Sequence, residues 1–431
     1  MDDREKRRHG GLIRGTASLV QTRQMPRLAF AGLTCHPLRM GLKIAIVGAG
    51  IGGLSAAALA ALQSHEVTLF ERFEQPRPLG SGLVIQPVGL AVLDAIGVGE
   101  KARALGSPIL RIAGHEVSSG RIVLDVDYRK TDPGLALHRA SLFQVLWDKV
   151  QTLGIPVVTA ATVESASMDG DKRRLHLADG RGFGPFDLVI DASGTNSPLS
   201  PLKARALKFG AIWGTVPWPN STSLPRNELR QRYLRADHMI GILPIGRTPT
   251  DSTPITAVFW SLPVGNVPIW QASPLTAWKD EAIRLWSDIE PFLSGITQHD
   301  QMVPARYTHG TLRRPFAPAL AFIGDSAHRA SPQLGQGANM AMLDALALVT
   351  ALRLPRAEAL PAYGAMRRWH VRTYQGLSAI FTPMYQSDSR ILPPVRDYLL
   401  APSARLPLVR NLLTSLVSGD MIPPLAGQPF P

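Results

Sequence analysis

The chain has a single cysteine, Cys35, in 431 residues. One thiol excludes an internal disulfide framework and any zinc site built on cysteine. HExxH is absent, as is any helix pairing histidines with carboxylates, so no metal site is expected. No GxSxG follows a strand, which removes the serine-hydrolase elbow. Acidic residues are scarce beside basic ones, 33 against 46, for a net charge of +13. The surplus gathers at the ends: eight basic against three acidic residues in 1–41, and nine against four in 351–431. Aromatics make up only 6%, and no basic stripe is interleaved with them, so no nucleic-acid partner is expected. Long apolar runs are also missing. Residues 42–62 come nearest, but Lys43 and several glycines interrupt them, so no integral membrane span is expected.

What is present starts inside that run. Ile44, Ala45, Ile46 and Val47 read as a buried strand, followed by Gly48-Ala-Gly50-Ile51-Gly52-Gly53 and an alanine-rich helix. Glycines at 48, 50 and 53 have the dinucleotide-fingerprint spacing. The first makes the tight turn, the second admits a pyrophosphate, and the third lets helix and strand pack closely. A second strand, residues 67–70, ends in Glu71, with Arg72 behind it. A carboxylate at that distance accepts hydrogen bonds from ribose hydroxyls. Strand, loop, helix, strand and acid in this order point to an adenine dinucleotide.

A second glycine-bearing segment lies far downstream, residues 321–345, AFIGDSAHRASPQLGQGANMAMLDA. It reads as a buried strand at 321–323, an acidic turn at Gly324 and Asp325, and a loop broken by Gly335 and Gly337. A long apolar helix then opens through Ala338 and Asn339. Such a start aims backbone N–H groups and the positive end of the helix dipole at one spot. The glycines let the main chain approach a flat or anionic ligand without a Cβ in the way.

Taken together, these segments resemble the FAD-dependent aromatic hydroxylases, the class A flavoprotein monooxygenases. The resemblance runs from about residue 42 to 388 and is specific at Gly48 to Gly53, Glu71, Arg139 and residues 324–339. It implies FAD as cofactor, with Gly48, Gly50, Ile51, Gly52, Gly53, Glu71 and Arg72 at the adenosine end. Asp325 would meet the ribitol and pyrophosphate, and Gly335, Gly337, Ala338 and Asn339 would lie beside the isoalloxazine ring. Residues 78–98 look like the family's flavin-flanking loop and short helix, and Leu137-His-Arg139 like the helix start from which an arginine reaches the cofactor. His328 is expected to order its loop by hydrogen bonding. The resemblance further implies reduction by NAD(P)H, capture of O2 as a flavin C4a-hydroperoxide, and hydroxylation of an aromatic or polycyclic small molecule. Where the family reads Ala-Asp-Gly, this chain reads Asp191-Ala-Ser193-Gly194, a form similar to that of halogenases and prenyl reductases of the same fold. Another flavin enzyme of this fold (a prenyl-type reductase, halogenase or oxidase) therefore stays open, as does an FAD-binding protein without turnover. Tyr233, Arg235 and His238 are candidates for a group that ionises the substrate, although each suits a structural place in a sheet.

The expected fold is α/β: a Rossmann-like FAD-binding domain (42–205 and 306–385), an inserted β-sheet substrate domain (206–305) and a C-terminal helical tail (386–431). Residues 1–41 form a basic extension expected to be disordered, with Met40 as a natural start and 1–39 dispensable. A turn at Ala178-Asp179-Gly180 marks a hairpin. Helices are expected at 142–153, after Pro361, and in short pieces at 395–400 and 406–417. The tail either caps the cofactor domain or serves a dimer partner or a membrane-borne substrate. A cytoplasmic monomer or homodimer is expected, with peripheral membrane association left open.

Overall fold

The computed structural model describes residues 41–75 and 81–431. The expected extension, with Cys35 and Met40, lies outside them apart from Gly41, and so do Pro78, Leu79 and Gly80 of the flavin-flanking loop. Lys43–Val47 is apolar after its first residue because both its faces are covered. Side chains alternate along a strand, so Ile44 and Ile46 enter one apolar cluster while Ala45 and Val47 enter another. The strand pairs in parallel with Glu66–Phe70 on one side and Leu188–Asp191 on the other. Val157–Val158 and Leu320–Phe322 extend the parallel order, and Phe316–Ala317 closes one edge antiparallel. Against the Ile44 face pack the helices Ile51–Leu62, Pro87–Ile96, Arg139–Thr152 and Gly337–Ala351. Against the Ala45 face packs a small antiparallel sheet of Val163–Asp169, Lys172–Leu177 and Gly182–Phe186. Its turn is the one expected: Arg181 N donates to Asp179 Oδ1 at 3.0 Å, and Gly180 has φ +83°.

A second large sheet forms the roof. Its eight strands run in the order His328–Arg329, Val303–Thr311, Arg205–Pro217, Ile255–Pro263, His238–Pro244, Glu228–Leu234, Arg111–Glu116 and Ile122–Asp127. Alternation again sorts its faces. Ile212, Ile240, Ile242, Val258 and Trp260 pack outward beneath the helices Val267–Ala272, Leu275–Leu285 and Glu290–Leu293. Met239, Leu243, Ala257 and Phe259 face inward. The sheet is not confined to 206–305. Residues 111–127 join it because Glu228–Leu234 would otherwise present an unpaired edge. Much of the stretch from 264 to 301 is helical rather than strand, because the outer apolar face needs a cover. Strand sharing of this kind leaves Gly41–Pro431 as one compact unit.

The long C-terminal helix is Arg356–Tyr385, so it begins before Pro361 rather than after it. Pro361 sits in the second turn, where the missing N–H costs one bond close to the already unpaired helix start. Beyond it come Leu392–Val395, a wider helical turn Arg396–Leu400, Ala401–Ser403 and Pro407–Ser418.

Candidate active site

A cavity of about 1470 Å³ is lined by residues of both large sheets and of the C-terminal tail. At one end the glycine loop meets it. A Cβ on Gly53 would fall 1.9 Å from the Gly48 carbonyl oxygen, and one on Gly48 would fall 2.6 Å from that of Ala192. Both positions are closed by packing. At Gly50 a Cβ would meet nothing within 4 Å, so this turn faces open space. Gly50 is the N-cap of Ile51–Leu62 and brings no side chain to the helix N–H groups. These donors point at the cavity unsatisfied by a cap, with the dipole's positive end behind them. Glu71 is buried beside the loop, where Oε2 accepts from Ala49 N at 2.8 Å and Oε1 from Phe73 N at 3.0 Å. Each oxygen keeps a lone pair for a ligand hydroxyl. Arg72 lies over the Phe73 ring at 4.6 Å.

The floor of the cavity is a charged network beneath the turn Gly324–Ser326. Asp344, inside Gly337–Ala351, accepts from Gly324 N at 2.9 Å, His328 Nε2 at 2.6 Å and Arg367 Nε at 2.8 Å. Burial alone would raise this carboxyl, but the charges of His328 and Arg367 pull it down to about 2. Arg367 is only 2% exposed and also donates to Pro424 O at 2.6 Å. His328 thus orders its loop, as expected, through a carboxylate twenty residues from Gly324. Above the network, Asp325 and Arg139 keep surface that opens into the cavity, although protein surrounds them closely. Desolvation raises the Asp325 carboxyl, opposed by His328, Arg139 and Arg329. It lowers the Arg139 guanidinium, opposed by Asp325.

Two further features complete this end. Gly335 takes the left-handed conformation (φ +61°) that turns the chain into Gly337–Ala351, whose N-cap, Gln336, also leaves the helix donors uncapped. Gln336 is buried; its Nε2 donates to Val417 O at 3.2 Å, and its Oε1 has no partner. At the other large-sheet strand end, Asp191 is fully buried and accepts from Ser193 N (3.0 Å), Ser193 Oγ (2.5 Å) and Ser197 Oγ (2.5 Å). Burial raises this carboxyl and the bonds oppose it. Its oxygens are committed to the loop, while Ser193 and Gly194 line the cavity.

The cavity therefore brings together Gly48, Gly50, Ile51, Gly52, Glu71, Arg72, Arg139, Asp325, Gly335, Gly337 and Ala338. Two expected ligands are not among its lining. Gly53 serves the helix–strand contact. The Asn339 side chain is turned away: Gln86 N donates to its Oδ1 at 2.9 Å, and its Nδ2 donates to Val84 O (3.1 Å) and Gly335 O (3.0 Å). Its amide ties the loop at Gly335 to the strand end at Val84 and to Gln86.

The three candidates for substrate ionisation also lie elsewhere. Tyr233 is fully buried, donates to Gln231 Oε1 at 2.7 Å and packs against Tyr385. Arg235 occupies the left-handed turn between two roof strands (φ +56°). His238 contacts Asp237 Oδ1 at 3.0 Å and Glu281 Oε1 at 3.5 Å, toward the outer helices. Strand alternation puts His238 on the outer face. Tyr233 shares the inner face with its cross-strand neighbour Met239 but lies beneath the cavity wall, its hydroxyl bonded to Gln231. The roof end presents instead Trp213 stacked on Phe259, with centroids 4.5 Å apart, and Tyr307, which accepts from Trp213 Nε1 at 3.1 Å. Burial pushes the Tyr307 hydroxyl up to about 12.

A family model described as the FAD binding domain matches residues 41–372. The chain belongs to this FAD-binding family. It is 27% identical over 395 residues to a probable 2-heptyl-3-hydroxy-4(1H)-quinolone synthase of Rhodococcus erythropolis, covering 89% of this chain and 97% of the relative. It is 26% identical over 325 residues to 3-amino-4-hydroxybenzoate 2-monooxygenase of Streptomyces cremeus, covering 72% and 78%. Among solved structures, Klebsiella pneumoniae HpxO complexed with FAD and uric acid shares the fold at TM-score 0.74 and 20% identity, over 89% of this chain and 99% of that one. A 2-methyl-3-hydroxypyridine-5-carboxylic acid oxygenase does so at 0.73 and 18%, over 88% and 96%. The α/β fold with FAD cofactor is thereby established, and the chain is an FAD-dependent monooxygenase.

The residues present suit FAD. Two uncapped helix starts, open space over Gly50, a carboxylate with spare lone pairs at Glu71 and the partnerless Gln336 Oε1 are groups that an elongated, anionic, hydrogen-bonding molecule satisfies. Sequence reasoning missed the roof lining and the inner side of the tail. The alternation in Ile122-Val-Leu-Asp-Val126 and the spacing of Val409, Leu413 and Leu416 were the available signals.

Proposed function

We propose that FAD lies along this cavity, its adenosine by Glu71 and Gly48 to Gly52, its pyrophosphate and ribitol between Arg139 and Asp325, and its ring by Gly335, Gly337 and Ala338. The substrate is then an aromatic small molecule under Trp213, Phe259 and Tyr307, and NAD(P)H is the reductant. When bound, FAD supplies the two-electron and oxygen chemistry that no side chain here can perform. The chain's own groups bind, orient and exclude water. One observation carries the reading: a single cavity joins two uncapped helix starts to an aromatic roof. The Gly337 helix start favours negative charge beside it, as a reduced flavin ring carries. Tyr307 stays protonated at neutral pH; its oxygen accepts from Trp213, so its own proton is available to a ring oxygen of the substrate.

The curated relatives include a quinolone synthase and an aminohydroxybenzoate monooxygenase. Among the described residues lining the roof end, none is Lys or Arg, which favours an uncharged ring over a benzoate. The reading carries with it a cytoplasmic monomer or homodimer, where NAD(P)H is at hand. Adding NADH or NADPH to holo-protein with a panel of neutral hydroxyaromatics tests it. The expected outcome is substrate-stimulated bleaching of the flavin, then in air a product heavier by one oxygen atom. Bleaching by neither nucleotide would remove NAD(P)H from the proposal. Reduction yielding only peroxide across the panel would remove ring hydroxylation.

A further inference from the structure

The exposed large apolar side chains are unevenly placed. Of the fourteen among the described residues, seven fall between Ile391 and Leu412, including Ile391 at 75% and Leu408 at 82% exposure. The spacing 391, 395, 398, 399 is that of one helical face, and 408 and 412 share a face of Pro407–Ser418. The opposite side of the same segment is apolar too, since Leu400, Val409, Leu413 and Leu416 line the cavity, with Leu412 half-exposed and touching both sides. The tail is fastened inward by Arg396, which is 1% exposed, bonds Asp397, Arg235 O and Met384 O, and lies over the rings of Tyr233 and Tyr385. The outward leucines are therefore not an inner face that has come loose.

Charge decides what fits there. Arg390 and Arg405 are exposed and make no ion pair among the described residues, whereas Asp388 is paired with Lys208 and Arg410 with Asp127. Arg121 sits 4.1 Å over the exposed Tyr398 ring. The uncompensated charge around the apolar face is positive. A second copy docking through a two-fold axis would set this positively charged patch against the same patch of its partner, which is unfavourable. An anionic bilayer offers both an apolar interior and negative headgroups. Among the described residues no helix is long and apolar enough to cross a membrane.

We propose that residues 391–412 dock the protein peripherally on an anionic lipid surface, with Leu399, Leu408 and their neighbours in the interface and Arg390 and Arg405 at the headgroups. The cavity then stands one helix away from the leaflet. The test is flotation of the full-length holo-protein with vesicles of phosphatidylcholine alone or mixed equally with phosphatidylglycerol. The protein is expected to float with the mixed vesicles and not with the neutral ones. L399E/L408E should abolish flotation, and R390E/R405E should reduce it roughly tenfold or more, with flavin content and melting temperature unchanged in both. Failure of the parent to float at low salt would overturn the proposal. So would flotation of L399E/L408E equal to the parent's, which would assign binding to another basic segment. A dimer in the absence of lipid that L399E/L408E dissolves, without any flotation, would give the face to a second copy and overturn it equally. None of these readouts depends on turnover.

Discussion

The floor and the roof of the cavity are built by opposite means. Beneath the Gly324–Ser326 turn, a buried carboxylate gathers a backbone N–H, a histidine and an arginine within 3 Å. Above, Trp213, Phe259, Met239 and Leu243 meet through apolar contact, with Tyr307 the polar group bonded to Trp213. The floor resists rearrangement because each buried charge is costly to leave unpaired, so its geometry is tightly specified. The roof rests on area and shape, which tolerate exchange of similar volumes. A cofactor that must always be seated in one pose suits the first construction. A chamber that must be tuned to one substrate suits the second.

The sharpest way to break this contrast is Asp344→Asn. It leaves Arg367 and His328 buried without their anion, at an expected cost of roughly 3–5 kcal/mol in urea unfolding. A loss below about 1 kcal/mol would show that the floor is not held by charge. The pH dependence has a definite sign. The folded carboxyl is depressed to about 2, below an unfolded value of about 3.9. Its stabilisation is therefore complete above about pH 4 and is lost as pH falls toward about 2, so parent and variant should converge over that window.

A smaller effect is expected from Asp325→Ala, whose carboxylate faces the cavity and not the network. Charged hydrogen bonds contribute about 1.5–3 kcal/mol, so FAD should bind roughly 10- to 150-fold more weakly while apo-protein unfolding is unchanged. Equilibrium dialysis of the flavin reads this directly, and parental affinity would contradict the proposed placement. The least effect belongs to Phe259→Leu in the roof. It should cost about 1 kcal/mol in stability, leave FAD content intact and alter KM for the aromatic substrate more than kcat. Loss of flavin in this variant would show that floor and roof are not separable.

Legibility in the sequence followed the same division. Gly48 to Gly53, Glu71 and the Gly324–Asp325 turn were readable because each is a contiguous stretch whose spacing has one mechanical use. Asn339 stands between cavity-lining neighbours in the chain, and only the fold shows its amide bonded to Gln86, Val84 and Gly335 and absent from the lining. Tyr233, Arg235 and His238 lie outside the cavity lining for three different reasons. The helices Val267–Ala272 and Leu275–Leu285 make the face of His238 the outer one. Arg235 occupies a turn, and Tyr233 faces inward but is sealed under Gln231 and Tyr385. Strand alternation alone reveals none of this. The recruitment of residues 111–127 into the roof was hidden as well, since pairing Glu228–Leu234 in parallel with a strand more than a hundred residues earlier leaves no local mark.

By itself, then, the sequence determined the nucleotide-binding half of this FAD-dependent monooxygenase. Backbone groups at helix starts recognise phosphate, and the residues that shape such turns are neighbours in the chain. Tertiary structure alone decided the chamber and the two-sided tail. Their walls come from strands and helices far apart in sequence, and which side of each is buried depends on what packs against it.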